Sequence, residues 1–110
     1  MALDAIDFPW HTAPYEATLL IHERVCFEDG FLIEIKVWRV PEPVFSSSHG
    51  LKYSLFYGRA GTRVVGYDNE RGKGDHRHYK QQQQAYKFVS IEKLLADFKA
   101  DVEKARGATI

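Results

Sequence analysis

The chain has 110 residues, 45% hydrophobic and 14% aromatic, with a formal net charge of zero. This is one globular domain's worth of chain, neither a disordered tract nor a span of apolar residues long enough to cross a bilayer. Cys26 is alone, which excludes an intrachain disulfide and a cysteine-rich zinc site. The acidic start Met-Ala-Leu-Asp-Ala-Ile-Asp lacks the basic region of a signal peptide, so a soluble cytoplasmic protein is expected.

The zero net charge hides an asymmetry. Residues 1–34 hold seven acids (Asp4, Asp7, Glu16, Glu23, Glu28, Asp29, Glu34) against Arg24 alone. Residues 52–87 hold eight bases (Lys52, Arg59, Arg63, Arg71, Lys73, Arg77, Lys80, Lys87) against Asp68, Glu70 and Asp75. A polyanion meets a local field rather than a total, so the second half is the candidate binding side.

Along the chain, residues 1–17 read as an N-terminal extension and 18–107 as a single α+β domain. Pro9 and Pro14 break helix in the extension, while Phe8, Trp10 and Tyr15 offer anchors onto the body. From Leu19 the hydrophobic period is two. Asp29-Gly30 then signals a tight hairpin, and Phe31, Ile33, Ile35 and Val37 alternate cleanly against Glu34, Lys36 and Trp38. Pro41 and Pro43 end that strand, and Ser46 to Gly50 form a loop. Strand three is expected from Lys52 to Tyr57, a turn at Gly58 to Gly61, and strand four from Thr62 to about Tyr67. Gln81 to Gln84 read as connection, and Tyr86 to Val89 as a fifth short strand. Ser90 caps a helix on which Ile91, Leu94, Leu95, Phe98, Val102 and Ala105 form one apolar stripe, Val89 staples to Leu94, and Gly107 stops it. The alternating charges Glu92, Lys93, Asp97, Lys99, Asp101 and Glu103 read as its solvated face. The expected fold is an antiparallel four- to five-stranded meander covered by one C-terminal helix.

Residues 67–79 carry the chemistry. Tyr67-Asp-Asn-Glu-Arg-Gly-Lys-Gly-Asp-His-Arg-His-Tyr79 contains no aliphatic side chain, and so reads as a loop rather than a core strand. Gly72 and Gly74 flank Lys73 and let backbone N–H groups approach a phosphate. Arg71 and Arg77 suit bidentate contacts to phosphate oxygens. His76 and His78 are the residue type that titrates near neutral pH, as an acid–base pair requires. Asp75 is placed to orient a histidine, and Tyr67 or Tyr79 to stack on a base. His49 lies before strand three and can reach the same sheet end. His11 and His22 read as structural and Cys26 as packed in the hairpin, a catalytic thiol being its rival. Trp38 sits on a polar strand face, either covered by the N-terminal segment or touching a partner.

Several rivals stand beside the RNA reading. Gly72-Lys73-Gly74 lacks the Walker spacing, which removes an NTPase. His76-x-His78 with Asp68 or Asp75 offers a metal site, but Arg71, Lys73 and Arg77 would repel a dication. A solvated basic loop without function is the blandest alternative. No cofactor is expected.

Asp29-Gly30, Pro41-x-Pro43, His49-Gly50-x-Lys52-Tyr53, Tyr57-Gly58, Gly66 to His78 and the helix Phe88 to Phe98 together resemble the TumE family of small bacterial and archaeal toxins, over about residues 18–104. The resemblance implies a toxin encoded beside a neutralising helix-turn-helix antitoxin, the partner expected in addition to RNA. It leaves the reaction open. The expected function is a metal-independent endoribonuclease using His76 and His78, with Lys73, Arg71 and Arg77 on phosphate. The alternative is a non-catalytic module that binds nucleic acid or a partner through the same loop; a transferase acting on RNA lacks a nucleotide-binding fingerprint. No membrane partner is expected, and a monomer and a homodimer are both compatible with the sequence.

Overall fold

Among the described residues, six antiparallel strands follow one another in chain order and one helix closes the domain. The computed structural model describes residues 17–44, 47–70 and 72–110. The anchors Phe8, Trp10 and Tyr15, His11, Ser46 and Arg71 lie outside them. The strands are β1 (Thr18–Cys26), β2 (Leu32–Arg39), β3 (Leu51–Arg59), β4 (Thr62–Glu70), β5 (Gly74–Tyr79) and β6 (Gln82–Ala85), and the helix is α1 (Ile91–Arg106).

The alternation read from the sequence sets the two faces of the sheet. Ile33, Ile35 and Val37 of β2 pair with Tyr57, Leu55 and Tyr53 of β3, and Leu55 and Tyr57 pair with Tyr67 and Val65 of β4. This face packs against Leu94, Phe98 and Val102 of α1, which are buried with it in the core. The opposite face, open only in that α1 does not cover it, presents Glu34, Lys36 and Trp38 of β2, Lys52, Ser54 and Phe56 of β3, Gly66 and Asp68 of β4, and His76 and His78 of β5; Glu34, Lys52 and Gly66 are buried and the others half-buried.

Asp29-Gly30 makes the first hairpin as its sequence demands: Gly30 has φ +90°, and the Asp29 carboxylate accepts the Phe31 N–H. Ser90 caps α1 by accepting the Lys93 N–H at 3.0 Å, and Gly107 ends the helix in the left-handed conformation. Val89, ahead of the cap, is 60% exposed, while Leu94 is fully buried. Cys26 is exposed, not packed inside its hairpin.

The largest departure from the sequence reading is at residues 67–85. The described residues form six strands, not four or five. Residues 67–70 and 74–79 lie in strands instead of a loop; Gln82–Ala85 is a strand instead of connection; and Tyr86 to Val89 are not a strand. An aliphatic-free strand is stable here because its inward side chains are paired rather than apolar. Asp75, Arg77 and Tyr79 alternate toward the helix, and Asp75 and Arg77 find charged or hydroxyl partners there.

The helix has a second surprise. Asp97 and Asp101 are bonded to the body and not merely solvated: Asp97 accepts from the hydroxyl of Tyr86, just beyond β6, at 2.6 Å and Asp101 from the Tyr67 hydroxyl of β4 at 2.6 Å. Among the described residues, no helix is long and apolar enough to cross a membrane.

Candidate functional site

A strand's period of two divides the candidate residues between opposite sides of the sheet. On the helix side, Arg77 makes two parallel bonds to Asp101, Nε to Oδ2 at 2.7 Å and Nη2 to Oδ1 at 3.0 Å, and Nε also reaches the Tyr67 hydroxyl at 3.1 Å. The bond to Asp101 raises the Arg77 pKa further. Burial, reinforced by the Asp101 bond, raises that of Tyr67. Tyr67 is 1% exposed, so its ring is not available for stacking on a base. In this arrangement the fork of Arg77 is committed to a carboxylate and not free for phosphate. Its guanidinium also lies 5.3 Å from the Tyr79 ring centroid, where Lys80 and Lys104 gather too.

Asp75 does hold a histidine, but that histidine is His49. His49 Nε2 lies 2.7 Å from Asp75 Oδ2, while His49 Nδ1 accepts the Leu51 N–H at 3.2 Å, which assigns the ring proton to Nε2. The Tyr53 and Ser47 hydroxyls donate to the same carboxylate. The fully buried Asn69 locks the neighbouring backbone, accepting from Tyr53 N–H and donating to the Leu51 carbonyl. The His49 ring also lies tilted against that of Phe88, centroids 4.1 Å apart. This network fastens the segment before β3 to β5, and it confirms that His49 reaches the sheet end where β5 begins.

Burial pushes the Asp75 carboxyl up, but the bonds from His49, Ser47 and Tyr53 outweigh it and hold the group below its usual 3.8. A carboxyl depressed in the folded state stabilises the fold above its unfolded pKa, and that contribution is lost as pH falls through the folded one. Asp75→Asn is therefore expected to lower the urea midpoint at pH 7, with the gap to wild type narrowing from about pH 4 downward. A gap that stays constant from pH 7 to pH 3 would contradict this account of Asp75.

The open face is arranged differently. His76 and His78 share it, their ring centroids 6.4 Å apart. The Nδ1 of His76 is 3.1 Å from the Gly74 carbonyl, so it carries the proton and leaves the Nε2 lone pair directed away. His78 is 12% exposed and held from both ends. Arg63 Nη2 donates to its Nδ1 at 3.0 Å, and its Nε2 faces Asp68 Oδ2 at 3.6 Å. Arg63 also approaches Asp68, at 4.0 Å.

Arg63 is the residue the sequence reading missed. Strict alternation from Val65 and Tyr67 would turn it to the helix face. Tyr57 pairs with Val65 but Gly58 with Arg63, so Val64 is an extra residue and the resulting bulge puts Arg63 on the open face. Its stem then lies across Gly66, where an added Cβ would come within 2.6 Å of Arg63 Cδ. Glycine at 66 is thus what lets the guanidinium reach His78. The turn between β4 and β5 carries Gly72 at φ +83° and Gly74 at φ +77°, with Lys73 exposed at the tip and 3.4 Å from Glu70.

The charge asymmetry of the sequence is only partly realised. Glu34 lies on the open face too, near-buried, with His22 at 3.3 Å and Arg24 at 3.8 Å. Among the described residues, no three His, Cys, Asp or Glu side chains gather as a metal site would require.

The family model described as Toxin TumE matches residues 8–106, most of the chain. The chain belongs to that toxin family. The match begins ten residues ahead of the region that carried the sequence resemblance, so part of the N-terminal stretch falls inside the TumE pattern. Membership in TumE makes this the toxin of a toxin–antitoxin pair, and hence a protein with an antitoxin partner. No curated protein and no solved structure matches the chain.

Proposed function

We propose that this TumE-family toxin is a metal-independent endoribonuclease whose active face is the open side of β4 and β5. The observation that carries the reading is the pairing of His76 and His78 on one face, with Arg63 bonded to the second of them. His76 Nε2 takes the proton of a ribose 2′-hydroxyl, and the 2′-oxygen attacks the adjacent phosphorus. The P–O5′ bond breaks, and the leaving 5′-oxygen receives its proton from His78. The products are a 2′,3′-cyclic phosphate and a 5′-hydroxyl.

Arg63 couples this chemistry to substrate. It is half exposed and free to turn from His78 onto a phosphate oxygen, where it stabilises the crowded phosphorane. Its departure releases His78 Nδ1 to bind a proton, and Asp68 then supports the imidazolium. Lys73, at the hairpin tip beyond His76, adds positive charge along the strand of RNA. Arg77 and Asp75 support the site from behind by fixing β5, rather than by contact with substrate. RNA is the substrate, the toxin acts in the cytoplasm, and the partner is the helix-turn-helix antitoxin that the resemblance implies.

The test is cleavage of RNA by purified protein in EDTA, together with toxicity on expression, for wild type and His76→Ala. Cleavage and toxicity lost together in the variant support the reading. Salt-sensitive RNA binding without turnover in wild type would replace it with the non-catalytic alternative.

A further inference from the structure

Phe56 and Trp38 are the large aromatics that the described strands turn away from the helix, and Phe56 is the one in register with His78. It lies on the open face, among Glu34, Ser54, Lys36 and Asp68 rather than in the core. It is half-buried and has no stacking or cation–π partner among the described residues. Its ring does not rise from the sheet. The tip atom Cζ lies 3.0 Å from where a Cβ would stand on Gly58, two residues along the same face, so the ring reclines along β3. Gly58 is what allows this; its Cβ would also fall 2.1 Å from the Thr62 carbonyl oxygen.

The register connects this ring to the catalytic face. Phe56 pairs with Gly66, and Gly66 pairs with His78. Arg63 lies over Gly66. One row across the sheet therefore reads aromatic ring, guanidinium, imidazole, on adjacent strands ~4.8 Å apart. That is the order in which a nucleotide presents a base and then its phosphate.

We infer that Phe56 is a stacking platform for the nucleobase next to the scissile phosphate of single-stranded RNA, with the phosphate carried onto Arg63 and His78. This inference rests on the RNA reading above and extends it to a base subsite. Charge complementarity favours a polyanion here: Arg24, Lys36, Lys52 and Arg63 share the face with Glu34 and Asp68, four cations against two carboxylates. Stacking on a ring suits any base and requires the strand to be unpaired. A purely structural role, the ring shielding the backbone at Gly58, would stabilise the sheet without affecting ligand.

The experiment uses the full-length protein and a non-cleavable, fully 2′-O-methyl oligonucleotide of mixed sequence, with binding read by fluorescence anisotropy. Versions of the oligonucleotide carry one abasic nucleotide at each position in turn. Phe56→Leu is expected to weaken binding roughly 5- to 150-fold, the range for loss of one base–aromatic stack. One abasic position should cost wild type a similar factor and cost Phe56→Leu nothing further. Phe56→Tyr, which keeps the ring, should bind as wild type does. Unchanged affinity in Phe56→Leu, an abasic penalty that persists in it, or an equal loss in Phe56→Tyr would overturn the platform. Should Phe56→Leu not fold, Phe56→Trp carries the test: the intact oligonucleotide should quench its added indole emission and the abasic one should not, and equal response to both overturns the inference. Cleavage of the all-ribose oligonucleotide is followed in parallel. Stacking at Phe56 without any cleavage by wild type would remove the ribonuclease reading and leave the base subsite standing.

Discussion

Replacing His76 with alanine is expected to slow RNA cleavage by about 10²–10⁴-fold, the usual contribution of one positioned acid or base. The fold should hardly notice. Among the described residues the His76 side chain makes one hydrogen bond, to the Gly74 carbonyl, and it sits half-buried on the open face. Its loss should fall within the ~0.5 kcal/mol typical of surface positions. His78→Ala is expected to match it in rate and to exceed it in stability cost, because His78 is the group that Arg63 and Asp68 both engage. The double variant should be little slower than either single one, since a base and an acid serving the two ends of one displacement act as a unit. Single-turnover rates and urea midpoints for the three proteins separate the two effects. Full activity in either single variant would sink the role given to that histidine.

The second large effect concerns support, not chemistry. Arg77 and Asp101 form a mostly buried ion pair, 24% and 13% exposed, with the Tyr67 hydroxyl bonded to both. Arg77→Met leaves Asp101 with the Tyr67 hydroxyl but without its cation. The expected cost is about 3 kcal/mol, the lower end for breaking a buried pair, because both groups retain some water contact. That is a large share of the ~5–15 kcal/mol that holds a domain together. Adding Asp101→Leu to the same protein should recover much of the loss, since an apolar pair of similar size avoids the buried unpaired charge. Urea unfolding of both variants checks this. A single variant as stable as wild type would show that β5 is held to α1 by apolar contact instead. The two predictions pull apart cleanly: the first removes activity with the fold intact, the second loosens the strand that carries both histidines.

Much of the frame was legible because hydrophobic alternation and punctuation residues act locally. Asp29-Gly30, Ser90, Gly107 and the stripe from Leu94 to Val102 each did in the structure what their chemistry required. The polar segment 67–79 was given the wrong shape. A strand whose inward positions are Asp75, Arg77 and Tyr79 looks like a loop until the partners are known, and those partners, His49 and Asp101, lie 26 and 24 residues away. The same distance hid Asp97 and Asp101 among the alternating charges of α1, where helical spacing alone suggests solvent. Arg63 was hidden by a different cause. One extra residue, Val64, reverses the face of everything before it, and no composition signal announces a bulge.

The pairing of His76 with His78 needed no long-range information, because residues two apart on a strand share a face. What the fold adds is which cation accompanies them: Arg63 on the same side, with Arg77 turned away to Asp101. Arg63→Ala should therefore slow cleavage, while Arg77→Met should act mainly through stability.

The most direct measurement of the central claim is the chemistry of the cut ends. Purified toxin is incubated in EDTA with a single-stranded RNA and with the same strand fully 2′-deoxy, and the products are weighed by mass spectrometry. The account predicts 2′,3′-cyclic phosphate and 5′-hydroxyl ends from the RNA, and an intact deoxy strand. Cleavage of the deoxy strand, 3′-hydroxyl and 5′-phosphate ends, or RNA left whole by active toxin would contradict it.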